Sequence, residues 1–311
     1  MNKQAIRTLL ALTCLLTSAL AHPATALTAA GTVVAAPAAA HTAGGRHFLW
    51  RISKGRETLY LLGSIHALNP HDYPLPAEME TAFRHSVALV EEINLTAVNP
   101  ASTRQEALRL GTYPQGKSLR TELPPAVYAQ VAAGARKLGI VMGRLEHVRP
   151  WLGSIAVLDR QLTRAGFSPS DGVDYHFADE AHMLHKPVIG LETPGYQLRL
   201  LADLPAKVQR EMLLESLHEA GNLNREMQDL INAWKRGDTA ALEKIRQRDF
   251  GNYPLIYQLL VADRNRTWMP RLEHLLRSGR QYFVVVGALH LVGKDGLLAR
   301  FERAGYKVEQ L

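Results

Sequence analysis

Two stretches of the sequence end an apolar run in Gly-x-x-His: Thr58-Leu59-Tyr60-Leu61-Leu62-Gly63-Ser64-Ile65-His66 and Tyr282-Phe283-Val284-Val285-Val286-Gly287-Ala288-Leu289-His290. Such short apolar runs read as buried strands. His66 and His290 then fall just past strand C-terminal ends, where α/β sheets present their ligand sites. Gly63 and Gly287 lack a Cβ, which permits a sharp exit from the sheet or a close approach to a bound group. Two imidazoles delivered alike by separate strands are expected to converge. A third run, Val87 to Ile93, carries Glu91 and Glu92. Adjacent strand side chains face opposite ways, so only one of these carboxylates can enter a shared site.

Several other chemistries fail on inspection. Ser64 lies inside the first motif, but the second copy has Ala288 there and no Gly-x-Ser-x-Gly elbow surrounds it. His218-Glu219 resembles the start of a zincin helix, yet the position of the second histidine is Asn222. His182 and His185 sit on an expected helix with nothing nearby to complete a metal site, and read as a solvated face. No Walker loop or dinucleotide fingerprint is present.

The elements that must position the histidines alternate in type. Phe48 to Ile52 and Thr58 to Leu62 read as a hairpin across Ser53-Lys54-Gly55-Arg56. Helical spacing marks Pro76 to His85, then a mostly helical middle: Pro125–Leu138, Trp151–Ala165, Val173–Leu184, Ala206–Arg236 in one or more pieces, and Thr239–Arg248. Pro187 to Leu191 is a strand candidate among them. Asp263–Ser278 reads as helix, Gln281–Val286 as strand, Gly293–Ala304 as helix and Tyr306–Leu311 as a closing strand. The pattern predicts an α/β fold: a central mixed sheet built from two similar halves, each ending a strand in Gly-x-x-His, with a helical insertion between them.

The chain has 311 residues, 36 basic and 29 acidic side chains, and one cysteine. That length and balance suit an ordinary globular protein and argue against disorder or a disulfide-stapled miniprotein. The net charge of +7 is scattered without a basic patch, which argues against nucleic acid as a partner. Lys3 and Arg7 precede an apolar stretch from Leu9 to Ala21, with small residues at Ala19, Ala21, Ala24 and Ala26. This is the pattern of a cleavable export signal over residues 1–26, cut after Ala21 or Ala26. The stretch is short for a membrane span, so no stable span is expected in the mature protein, whose location is periplasmic or secreted. Cys14 leaves with the signal, which excludes thiolate chemistry. Residues 27–46 read as a flexible leader and 47–311 as the folded domain.

Taken together, Leu49-Trp50-Arg51-Ile52, the first Gly-x-x-His, Glu92-Ile93-Asn94, Gly172-Val173-Asp174, Gly190-Leu191-Glu192-Thr193 with Gln197, Arg264-Asn265, and Gly287-Ala288-Leu289-His290-Leu291 resemble the TraB/GumN family. That family is similar to the Tiki metal-dependent proteases and, more remotely, to the erythromycin-esterase and ChaN haem-binding groups. The resemblance implies a divalent ion (Mn, Co or Zn) held by His66, His290 and Glu92, with Glu92 rather than Glu91 matching the motif. Mixed imidazole and carboxylate ligation with an open position suits metal-assisted hydrolysis. It also implies supporting roles for Asp174, Gln197 and Asn265, with N-capping of its helix the other reading of Asp174; a supporting contact or a general base at Glu192; and for Arg264 either an oxyanion-neutralising or carboxylate-binding role or a structural ion pair. The expected function is an exported metal-dependent hydrolase, foremost a peptidase acting on peptide or protein. The alternative is a non-catalytic periplasmic binding or regulatory protein linked to polysaccharide export or peptide signalling, with haem handling a third reading.

Overall fold

The computed structural model describes residues 45–217 and 220–311. The expected export signal with Cys14, the leader up to residue 44 and the His218-Glu219 pair lie outside the described residues. Strands β1 (Leu49–Lys54) and β2 (Glu57–Ser64) form the expected hairpin, turning at Gly55 with φ +61°. They join β3 (Ala88–Ile93), β4 (Val188–Glu192), β5 (Tyr282–Gly287) and β6 (Lys307–Gln310) in one six-stranded sheet of order β4-β3-β5-β2-β1-β6. Strands β2, β5, β3 and β4 run parallel; at one side β1 pairs antiparallel with β2, and β6 antiparallel with β1.

Strand β5 lies between β2 and β3. Gly63 pairs with Val286 and Ser64 with Gly287, so the two Gly-x-x-His turns leave the sheet side by side. Every residue of β3 and β5 is buried, because helices cover both faces, as parallel strands require. On one face Phe83 of α1 (Ala77–His85) and Phe177 stack with each other and with Phe283 of β5, at ring separations of 4.8–5.7 Å.

Between β3 and β4 the chain forms α2 (Pro100–Gly111), α3 (Leu119–Glu122), α4 (Pro125–Lys137), α5 (Pro150–Arg164) and α6 (Val173–Met183), the last carrying Phe177. Between β4 and β5 come α7 (Pro194–Ala202), α8 (Ala206–Ser216), α9 (Ala220–Lys235), α10 (Thr239–Phe250), α11 (Pro254–Tyr257) and α12 (Asp263–Arg277). The apolar faces of α3, α4, α5 and α8 share a second, smaller core around Leu119, Val131, Val157 and Leu213.

Four helices, α2, α3, α7 and α11, were not expected from apolar spacing, and α3 and α11 are single turns of four residues. Both α2 and α7 begin at a proline that follows a capping side chain, Asn99 and Thr193 respectively, which fixes the first turn without a strong apolar stripe. The expected helix from Gly293 to Ala304 is corrected to α13 (Leu297–Arg303). A Cβ on Gly296 would stand 2.3 Å from the Leu291 carbonyl oxygen, so residues 291–296 fold back as a close-packed turn instead.

Candidate functional site

His66 leaves β2 into a wall of buried acceptors. Its Nδ1 lies 2.7 Å from Asp174 Oδ2, while Ser64 Oγ donates to Asp174 Oδ1 at 2.9 Å. Asp174 is thus no helix cap, although it stands in the first turn of α6; its carboxylate is buried and turned to the histidine. With Nδ1–H donated to a carboxylate, Nε2 is the ring's free position, and that atom is buried without a hydrogen-bond partner. Gly172 lets α6 come this near, since a Cβ there would meet the His66 carbonyl oxygen at 2.4 Å. Burial opposes charge on His66, but Asp174, aided by Glu92, lifts its pKa above the ordinary value.

His290 is fixed by a different partner. Asn265 donates through Nδ2 to the carbonyls of His290 and Asp295, both at 2.9 Å. Its Oδ1 must therefore face His290 Nδ1, 2.7 Å away, and accept from it. This makes Nδ1 the protonated nitrogen and leaves the Nε2 lone pair pointing inward. Burial and the nearby Arg264 guanidinium push the His290 pKa down to about 3, so the ring is neutral.

Glu92 joins the two imidazoles. Its Oε1 lies 3.7 Å from His66 Nε2 and 3.8 Å from His290 Nε2, and accepts from the Gly287 backbone N–H at 2.9 Å. Gly287 floors the site: a Cβ there would stand 2.9 Å from His66 Nε2 and 3.3 Å from Glu92 Oε1. Gly63, by contrast, serves packing, because a Cβ would strike the Phe48 ring at 2.5 Å. Glu91 points away from the site. Its Oε2 accepts from Leu95 N at 3.3 Å, its Oε1 has no partner, and burial pushes its carboxyl well up. Burial would raise Glu92 too, yet Arg264 and the two histidines hold it well below the usual carboxylate range.

Arg264, in the first turn of α12, is the buried cation of the cluster. Nη2 donates to Glu92 Oε2 and, at 2.8 Å, to Glu192 Oε2; Nε donates to Glu192 Oε1 at 3.0 Å; Nη1 donates to the Leu260 carbonyl at 3.1 Å and faces His290 Nε2 at 3.2 Å. Every N–H of the guanidinium is engaged. Glu192, expected as a base, has its oxygens taken by Arg264, by Trp268 Nε1 at 2.8 Å and by Gln197 Nε2 at 3.2 Å. Gln197 also donates to Glu92 Oε2 at 3.2 Å, tying the two carboxylates together. Sequence reasoning missed Trp268, whose ring lies 4.8 Å from the guanidinium and 4.5 Å from the His290 ring. Its place one helical turn after Arg264 was the available signal. It also missed Ser64 as a holder of Asp174. His182 and His185 are exposed.

The donor chemistry suits a divalent cation. Two inward imidazole nitrogens, one of them a buried orphan, converge on one carboxylate oxygen, the mixed N/O set that Mn, Co and Zn accept. Among the described residues, however, no three such groups are drawn together as a finished metal cage.

A model of the TraB/PrgY/gumN family matches residues 48–310. The chain belongs to this family. It is similar to a protein of Escherichia coli (strain K12) named "Uncharacterized protein YbaP", at 25% identity over 258 residues, covering 81% of this chain and 92% of that one. The protein of the same name from Shigella flexneri matches to the same extent. No solved structure matches. The family match covers all the strands and every member of the cluster, so the site sits within the family's domain. Among the described residues no helix is long and apolar enough to cross a membrane.

Proposed function

We propose that this TraB/PrgY/gumN-family chain is an exported metal-dependent hydrolase that cleaves peptides, with His66, His290 and Glu92 holding one divalent ion. The observation that carries the reading is His66 Nε2: a buried nitrogen with no partner, aimed at a carboxylate oxygen that a second inward imidazole also faces. A divalent ion supplies a water of lowered pKa and a Lewis acid for the scissile carbonyl. The protein does the rest by positioning. Asp174 and Asn265 fix the tautomer and angle of the two rings, as outer partners of ligating histidines do. Arg264 keeps Glu92 ionised, and Glu192, with its oxygens engaged, fixes Arg264 rather than serving as a free base.

One observation favours the non-catalytic alternative, a periplasmic binding or regulatory protein linked to polysaccharide export or peptide signalling. The cluster is deeply closed: His66 is 1% exposed, Glu92 and Arg264 2%, and His290 6%. The two readings separate on the mature protein, assayed for bound metal and for peptide hydrolysis with Mn, Co or Zn. The hydrolase reading expects one bound ion and metal-dependent cleavage, both lost in the His66→Ala/His290→Ala double variant. Equal metal binding by wild type and double variant would remove the site assignment, and metal binding without cleavage would favour the alternative.

A further inference from the structure

The guanidinium of Arg264 stands where a second cation would have to come. Its Nη1 faces the inward lone pair of His290 at 3.2 Å and its Nη2 donates to Glu92, so two of the three donor groups of the cluster are already answered by a positive charge. Only His66 Nε2 is left without a partner. The placement is held from several sides. Glu192 grips Nε and Nη2, the Trp268 ring lies 4.8 Å away, and the Leu260 carbonyl takes the remaining N–H. Leu260 belongs to a π-helical turn, Gln258–Ala262, that leads directly into α12. Such wide turns recur at functional sites because they redirect backbone and side-chain groups.

We infer that Arg264 is the resident cation of this site: its guanidinium occupies His290 and Glu92 in the absence of metal, and a divalent ion binds only as that guanidinium gives up His290. The inference rests on the hydrolase reading and adds to it a built-in control of metal affinity. Three physical points support it. A lone pair that accepts from Arg264 is not available to a metal, so the contact must break on loading. Two buried carboxylates, Glu92 and Glu192, need a counter-charge in the metal-free protein, and Arg264 supplies one. The bidentate, stacked guanidinium fits this place as a compact ammonium does not, since its planar fork answers Glu192 and Glu92 together while a second arm reaches His290.

The test is a Co2+ titration of the mature protein, read by the visible absorption of the bound ion and by calorimetry, on wild type, Arg264→Gln and Arg264→Lys, with circular dichroism as the check on folding. Arg264→Gln is expected to bind Co2+ about tenfold more tightly than wild type, or more. Arg264→Lys keeps the charge but loses the fork, and is expected to bind more tightly than wild type as well. If Arg264→Lys matches wild type, nearby charge rather than occupancy sets the affinity and the inference is overturned; the same holds if Arg264→Gln binds no better. The lysine variant decides alone should the glutamine variant not fold. Absence of Co2+ binding in all three folded proteins removes the hydrolase reading itself, an outcome distinct from equal binding.

Discussion

Asp174 lies 108 positions from His66, yet its carboxylate decides which nitrogen of that ring faces the site. Asp174→Asn keeps the shape and removes the charge. The His66 pKa should then fall from its raised value, measurable by NMR titration of the metal-free protein, and metal affinity should drop by about 10–100-fold. No change in either would mean that Asp174 merely fills space. His290 predicts a pH dependence of stability. Its folded-state pKa is pushed down to about 3, against roughly 6.5 in an unfolded chain. The unfolded state therefore binds the proton first as pH falls, so this contribution is present above pH ~6.5 and is lost as pH drops toward 3. Chelator-treated wild type should lose Tm over that window more steeply than His290→Gln; parallel curves would contradict it. At this scale the two histidines were legible because a glycine at a sheet exit is a local constraint. The choice between Glu91 and Glu92 was not legible from alternation, since β3 is buried on both faces and neither side reads as polar. The contacts of Glu192 and Arg264 were not legible for another reason: which oxygens are engaged is settled between residues 72 positions apart.

The strand exits and the helices behind them form the next scale. Gly287→Ala would place a methyl 2.9 Å from His66 Nε2 at the floor of the cluster. It is expected to abolish metal binding and to cost about 1–3 kcal/mol in chemical denaturation, by overpacking. Retained binding would show that the floor yields. Trp234 of α9 donates from Nε1 to the Gly63 carbonyl at 2.6 Å, a buried bond that ties the helical layer to the first Gly-x-x-His. Trp234→Phe leaves that carbonyl without its donor and should destabilise the fold by about 1–3 kcal/mol, read by the same unfolding curves. Long apolar elements such as α5 and β5 were readable from periodicity. The start of α13 was not, because the turn before it is imposed by the close approach of Gly296 to the Leu291 carbonyl.

Across the whole molecule, the sheet order brings three separate stretches of chain to adjacent strand ends, with β5 between β2 and β3. The mixed sheet and the helical insertion were legible from alternating element types, but strand order was not, since the pairing of β2 with β5 joins residues on either side of the insertion. The insertion carries its own small core, and Leu213→Ala within it should cost about 2–5 kcal/mol of stability while leaving metal affinity unchanged. A parallel loss of metal would show that the insertion and the site are coupled. The most direct measurement on the site itself is anomalous X-ray scattering from crystals of the protein grown with Mn2+ or Zn2+. The expected result is one anomalous peak bounded by His66 Nε2, His290 Nε2 and Glu92 Oε1, with Arg264 drawn off His290. A peak elsewhere, or none with Arg264 still on His290, would contradict metal ligation by these three residues.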